Sequence, residues 1–263
     1  MDEVSTWFNS LPRFTRYWFG GTVSFSLLAR FGILSPRYLV LLYDLFIKEF
    51  QIWRPATALF FYPISPQTGF HFLINLYFLI NYSKLLETGV FATRPADYAT
   101  MLLFNWAVCV VTALFMNMMT LMDPMVLSVL YVWCQLNKDV TVNFWFGTQF
   151  KAMYLPWVLF GFNLILSGGG MSELIGILVG HLYFFLKFQY PQQYGGPPLL
   201  GTPSILENWF PPPRGGMGGF GIPPEARAPA GASPAGNPAG PAGGGRSMFG
   251  GHSWGRGQQL GNQ

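Results

Sequence analysis

Three groups of residues hold the side chains that could do chemistry. The first is Glu173 with Gly176, Gly180 and His181, in and just before the apolar run G-I-L-V-G-H-L-Y-F-F. The second is His71 and Asn75, four apart and therefore on one face of a helix. The third is Ser128, within M-V-L-S-V-L-Y-V-W. A serine, two histidines and a carboxylate embedded in apolar sequence raise the question of a hydrolase working inside a membrane. Such an enzyme needs a nucleophile beside a base, and donors for a developing oxyanion. Each group also has a plainer reading. Glycines four apart let two helix backbones approach in lipid, where packing rather than water expulsion drives association. His71 and Asn75 either hydrogen-bond within a bundle or line a polar cavity. Glu173 is costly in a bilayer unless it is solvated or faces a wet cleft. Trp53-Arg54 reads as an interfacial anchor for a loop, or more sharply as part of the path by which a substrate enters.

The elements that would position these residues belong to a membrane protein. Of 263 residues, 51% are hydrophobic, 18% aromatic and only 10% charged, a composition of the membrane class. A net charge of +4 is too small and scattered for nucleic acid. Cys109 and Cys134 sit in apolar runs, so no disulfide framework, zinc spacing or other metal site is expected, and no cofactor motif is present. The acidic start M-D-E-V-S-T-W-F lacks a small-residue cleavage site, so the first span is expected to serve as the targeting signal.

The fold class expected is an all-α polytopic membrane protein with six spans. Residues 1–16 are expected to form a cytosolic amphipathic segment, overlapping a basic, aromatic stretch from Trp7 to Phe19 that lies in the interface. A six-helix membrane domain covers 17–190. Its spans run roughly Tyr17–Leu34, Phe70–Leu86, Tyr98–Met119, Met125–Leu136, Met153–Leu166 (bent at Pro156) and Met171–Tyr190. A long luminal loop, about 35–69, lies half-sunk at the surface. Lys and Arg in the other short loops put both termini in the cytosol, against the three cations Arg37, Lys48 and Arg54 of the first loop. The sequon Asn81-Tyr82-Ser83 then faces the cytosol or is buried. A span of about 15 residues rises about 22 Å against a hydrocarbon core of about 30 Å, a mismatch that thins the bilayer locally.

Residues 191–263 change character. Gly and Pro dominate, and such sequence cannot bury enough apolar surface to fold, so a disordered cytosolic tail is expected. It ends in F-G-G-H-S-W-G-R-G-Q-Q-L-G, where hydrophobes reappear as docking anchors.

W-R in a long first loop, H-x-x-x-N on span two and G-x-x-x-G on span six resemble the rhomboid intramembrane proteases. That resemblance implies a G-x-S-G nucleophile on span four and a histidine base on span six. Here the nucleophile position falls on Leu127, with Ser128 one place off and unflanked by glycine, and the base position falls on Glu173. His181, about two turns from Glu173, faces elsewhere. The resemblance therefore implies no catalytic residues, and a protease using Ser128 is the lesser reading. More specifically, R-Y-W-F, F-Q-I-W-R-P, N-L-Y-F-L, L-E-T-G, R-P-A-D-Y, L-L-F-N-W, S-V-L-Y-V-W, F-W-F-G-T, F-K-A, Y-L-P-W-V and L-V-G-H-L-Y-F-F resemble the Derlin family, animal Derlin-one type. This implies a rhomboid-like pseudoprotease of the endoplasmic reticulum, acting in the degradation of misfolded luminal and membrane proteins by returning them to the cytosol. The tail end resembles the family's SHP box, in which Trp254, Gly255, Gly257, Leu260 and Gly261 would dock the AAA ATPase valosin-containing protein. A membrane ubiquitin ligase, misfolded clients and a homo-oligomer such as a tetramer are further partners the resemblance implies. A channel or transporter for ions or solutes is disfavoured by the few intramembrane charges and the absence of an evident inverted repeat or paired broken helices.

Overall fold

The computed structural model describes residues 2–143, 147–167, 170–195 and 197–212, all within one compact unit, 1–227; a second unit, 228–263, lies outside the described residues. The structure is mostly helical. Helix α1 spans Asp2–Ser10 and α2 spans Arg13–Arg30. Leu11 and Pro12 break the helix between them, because proline lacks an N–H and disfavours helical backbone at the residue before it. The stretch expected as one interfacial segment is thus divided. Its first half turns back, placing Trp7 edge-on to Phe19 with ring centres 5.8 Å apart.

The first loop holds three short helices, α3 (Pro36–Leu39), α4 (Tyr43–Ile47) and α5 (Arg54–Phe60). It is tied to the far end of the bundle by Leu41 N–H to Met119 O at 2.9 Å and by Leu121 N–H to Ala58 O at 3.1 Å. Helix α6 (Gly69–Leu85) runs into a π-helical turn, Leu86–Val90. That turn aims Glu87 at the start of α2, where helical N–H groups have no intrahelical acceptor. Its carboxylate accepts the N–H of Phe14 and of Thr15, each at 2.9 Å, and the Thr15 hydroxyl at 2.8 Å. Thr15 Oγ1 also pairs with Ser83 Oγ at 2.7 Å, and Ser83 with the Tyr98 hydroxyl at 2.6 Å. A carboxylate there is further favoured by the helix dipole.

Helix α7 (Pro95–Met116) begins on a proline, which suits a first turn, and stops at Asn117 in left-handed backbone, φ 53°. Helix α8 (Met122–Leu136) is central, with 12 of its 15 residues buried. A two-stranded antiparallel hairpin follows, β1 (Thr141–Asn143) with β2 (Gln149–Lys151), Val142 opposite Phe150. Helix α9 covers Leu155–Ser167. The expected bend at Pro156, in a span beginning at Met153, is not what the chain does. Instead α9 starts beside the proline and a 3-10 turn, Ala152–Tyr154, precedes it, because a first-turn residue needs no N–H donor. Helix α10 (Met171–Phe184) continues through a π-helical turn, Phe185–Gln189, into α11 (Tyr190–Tyr194). Among the described residues, two helical stretches are long and apolar enough to cross a membrane by length and composition, Pro95–Met116 and Met171–Tyr194.

The most extensive helix contact is α10 on α8. A Cβ on Gly176 would lie 2.7 Å from Pro124 O and 2.9 Å from Leu127 Cβ. On Gly180 it would lie 2.7 Å from Ser128 O and 2.9 Å from Tyr131 Cβ. Only a residue without Cβ admits this separation.

The folded part extends past residue 190, although the Gly/Pro-rich composition suggests that it ends there. Helix α12 (Ser204–Trp209) packs on α7. Its short apolar set, Leu206 with Phe210, finds a prepared surface on Ala96, Ala99 and Phe14. Local composition conceals such docking because it depends on a partner surface remote in sequence.

Candidate functional site

His71 and Asn75 project from one face of α6 toward the start of α8 and α10. The His71 Nδ1 lies 2.7 Å from the Tyr62 hydroxyl and 3.3 Å from Asn75 Nδ2. Asn75 Nδ2 donates to Asp123 Oδ1 at 2.5 Å. The other ring nitrogen, Nε2, faces Glu173 Oε1 at 3.7 Å. The same Glu173 oxygen accepts from Asn163 Nδ2 at 2.8 Å. Five helical-segment residues and one loop tyrosine thus form a single polar cluster where α6, α8, α9 and α10 meet. No Lys or Arg pairs with either carboxylate among the described residues. His71 and Asn75 share it with Tyr62, Asp123 and Asn163, which sequence reasoning did not single out. Asp123 and Asn163 were visible as polar residues at the edge of and inside apolar runs; nothing local marks Tyr62.

Leu127 and Glu173 line one cavity of about 20 Å³, together with Asn75, Asp123 and Asn163. Beside this cavity, between α6 and α9, lies an apolar groove of about 290 Å³. Phe70, Leu73 and Tyr77 form its outer wall, and Ile74, Phe78 and Leu159 line both it and the polar cavity.

Ser128 and His181 are elsewhere. Ser128 is fully buried; its hydroxyl donates to Met125 O at 2.8 Å and accepts from Asn105 Nδ2 at 3.1 Å. The His181 Nδ1 pairs with the Tyr131 hydroxyl at 2.8 Å.

Trp53 and Arg54 do not join the cluster either. Arg54 is 1% exposed; Nη1 donates to the carbonyls of Arg37 and Val40, both at 2.8 Å, and Nε to Gln51 Oε1 at 2.7 Å. A planar fork of fixed donors matches such an arrangement, which lysine could not reproduce. Trp53 stays about half exposed. Arg54 therefore gathers three parts of the first loop around one guanidinium. Gly176 and Gly180 lie on the α8 side of α10, one turn apart and just beyond Glu173. No group of three metal-ligating residues occurs among the described residues. Trp254, Gly255, Gly257, Leu260 and Gly261 lie outside them.

A mostly helical chain with two apolar helices long enough to cross a membrane, packed about a buried polar cluster, has the features of a helical membrane protein. The chain belongs to the Der1-like family, whose model matches residues 11–204. It is 53% identical over 263 residues to human Derlin-1, with all of both chains covered. It is 49% identical to Derlin-1 of Drosophila melanogaster, covering 86% of this chain and 92% of that one. It is 30% identical to Derlin-2.2 of Zea mays, covering 85% and 98%.

Proposed function

We propose that this chain is a proteolytically inactive, rhomboid-like component of endoplasmic-reticulum-associated degradation. It receives misfolded membrane and luminal proteins and passes them toward the cytosol. In this reading α2, α6, α7, α8, α9 and α10 are the six spans, both termini are cytosolic, and the first loop is luminal. Several of these helices are short: α8 has 15 residues and α9 has 13, so each rises about 20 Å against a core of about 30 Å. The mismatch thins the surrounding bilayer and lowers the cost of moving polar chain through it.

The observation that carries the reading is the junction of groove and cavity. An apolar client segment entering between α6 and α9 meets Ile74, Phe78 and Leu159, and behind them hydrogen-bonding groups but no nucleophile. Such a site can hold polypeptide without cutting it. The tail, through Trp254 and Leu260, would recruit valosin-containing protein to supply the pull, in a complex with a membrane ubiquitin ligase and other copies of this chain.

A photo-crosslinker placed at Leu73 of the full chain in microsomes tests the site. The expected product is an adduct with a misfolded membrane client, increasing when the ATPase is inhibited. An adduct pattern identical to one from a lipid-facing control position, Phe115, would overturn it. The tail assignment is tested separately: Trp254→Ala with Leu260→Ala should abolish capture of the ATPase, and unchanged capture would remove that part.

A further inference from the structure

The segment after α11 is held to the bundle by contacts of several kinds, all at the end where α2 and α7 begin. Lys187, just past α10, donates to Leu200 O at 3.2 Å and lies 3.7 Å from Asp97 Oδ2. The Thr202 hydroxyl bonds the other oxygen of Asp97, and Arg94 Nε reaches the carboxylate at 3.3 Å. Leu206 is buried against Ala96 and Ala99. Phe210 lies 4.8 Å from Phe14, ring centre to ring centre, and the Arg13 guanidinium sits 5.4 Å over the Phe210 ring. Residues 200–210 therefore touch α2, α7 and the extension of α10 at once.

Three features distinguish this from ordinary core packing. The segment is short, and α12 has only six residues, below the length at which a helix stands alone. Its buried apolar surface is limited to Leu206 with parts of Leu200 and Phe210, while Ile205 and Trp209 are exposed. The α2 end it covers keeps its own cap on Glu87 and its Phe14–Tyr98 ring contact at 5.5 Å, so the bundle beneath does not need it for closure. A segment with few buried contacts on a surface that is complete without it opens at low free energy.

We propose that residues 200–210 are a releasable latch. The face formed by Phe14, Ala96, Ala99 and Asp97 is its seat, and load on the chain beyond residue 212 is what opens it. The contacts lie in a row along the chain, with the aromatic one nearest the carboxyl-terminal side. Tension from that side meets them one at a time, Phe210 first, then Leu206, then Thr202 on Asp97, and last Leu200 on Lys187. Release frees the starts of α2 and α7 from a shared clasp when the tail is engaged. The reading rests on the tail being the point of engagement, as proposed above.

The test uses the full chain in lipid nanodiscs with Cys109→Ala, Cys134→Ala and Ala99→Cys, and follows maleimide labelling at position 99. With the latch seated the thiol is covered and labelling is slow. Leu206→Asp with Phe210→Ala should accelerate it by roughly tenfold or more, the scale of one lost leucine burial. Bead-tether tension on the carboxyl terminus of the otherwise unaltered chain should do the same, with no ATPase present. Equal labelling rates with and without Leu206→Asp and Phe210→Ala would show that the seat is not covered. Acceleration by those substitutions but none under tension would make the segment a static brace and overturn the latch. Because the substitutions sit outside the bundle, an unchanged melting temperature checks that the fold survives. Failure of ATPase capture by the tail would leave these outcomes unaltered, so the two readings separate.

Discussion

Gly176→Ala and Gly180→Ala place a single methyl each in the α8–α10 seam. Each new Cβ would sit 2.7 Å from a main-chain carbonyl oxygen of α8, where ordinary contact begins at 3.4 Å, and 2.9 Å from a second fixed atom, the Cβ of Leu127 or Tyr131. Neither obstacle can swing aside as a side-chain tip does, so α10 must back away by about 0.7 Å along that seam. Overpacking of this kind costs about 1–3 kcal/mol, and both sites fall mid-range because backbone is struck in each. The two are coupled. One outward step of α10 relieves both collisions, so the double variant should lose about 3 kcal/mol rather than the sum of two losses of about 2 kcal/mol. Gly161→Ala is the internal control: nothing lies within 4 Å of its Cβ position, and alanine gains up to about 1 kcal/mol in a helix interior. Equilibrium unfolding in mixed micelles by denaturing-detergent titration reads all four variants. Wild-type stability in Gly176→Ala, or an equal loss in Gly161→Ala, would refute close backbone approach as the reason for these glycines.

Glu87→Gln should loosen the amino end of α2 by about 2 kcal/mol, since charge-assisted bonds to two N–H groups and a hydroxyl become neutral ones; faster amide exchange at Phe14 and Thr15 is the direct readout. Arg54→Lys should unfasten the first loop without unfolding the bundle, because one ammonium cannot meet Arg37 O, Val40 O and Gln51 together; the expected result is cleavage between residues 36 and 53 by added protease at a dose that spares wild type. Ser128→Ala should leave any cleavage of a membrane reporter unchanged and cost about 1 kcal/mol through the lost bonds to Met125 O and Asn105; reporter cleavage that disappears in this variant would revive a protease.

Much of this organisation could be read from the chain, and the omissions share a cause. The G-x-x-x-G spacing points to close helix approach because four residues return to the same face, and the two glycines do face one helix. The pairing of His71 with Asn75 is legible for the same reason. What surrounds them is not: Tyr62, Asp123 and Asn163 arrive from three other segments, and no local pattern encodes which distant side chain fills a hydrogen bond. Glu87 stands out in the sequence only as part of L-E-T-G, whereas its role as a cap depends on a π-helical turn that shifts its direction. Pro156 and the segment 197–212 show the opposite error. A proline suggests a bend where a helix merely begins, and Gly/Pro-rich composition conceals a leucine and a phenylalanine whose seats lie on distant helices.

The seclusion of α8 has a consequence for biogenesis. A helix with 12 of 15 residues enclosed by protein presents almost no surface of its own to the exterior, and the helix it packs on most extensively, α10, begins at Met171, 35 residues after α8 ends at Leu136. At the moment the ribosome has made α8, the surface that will sheathe it does not yet exist. On the six-span topology proposed above, the nascent segment is shielded by helices already made until α10 emerges and lays Gly176 and Gly180 against it.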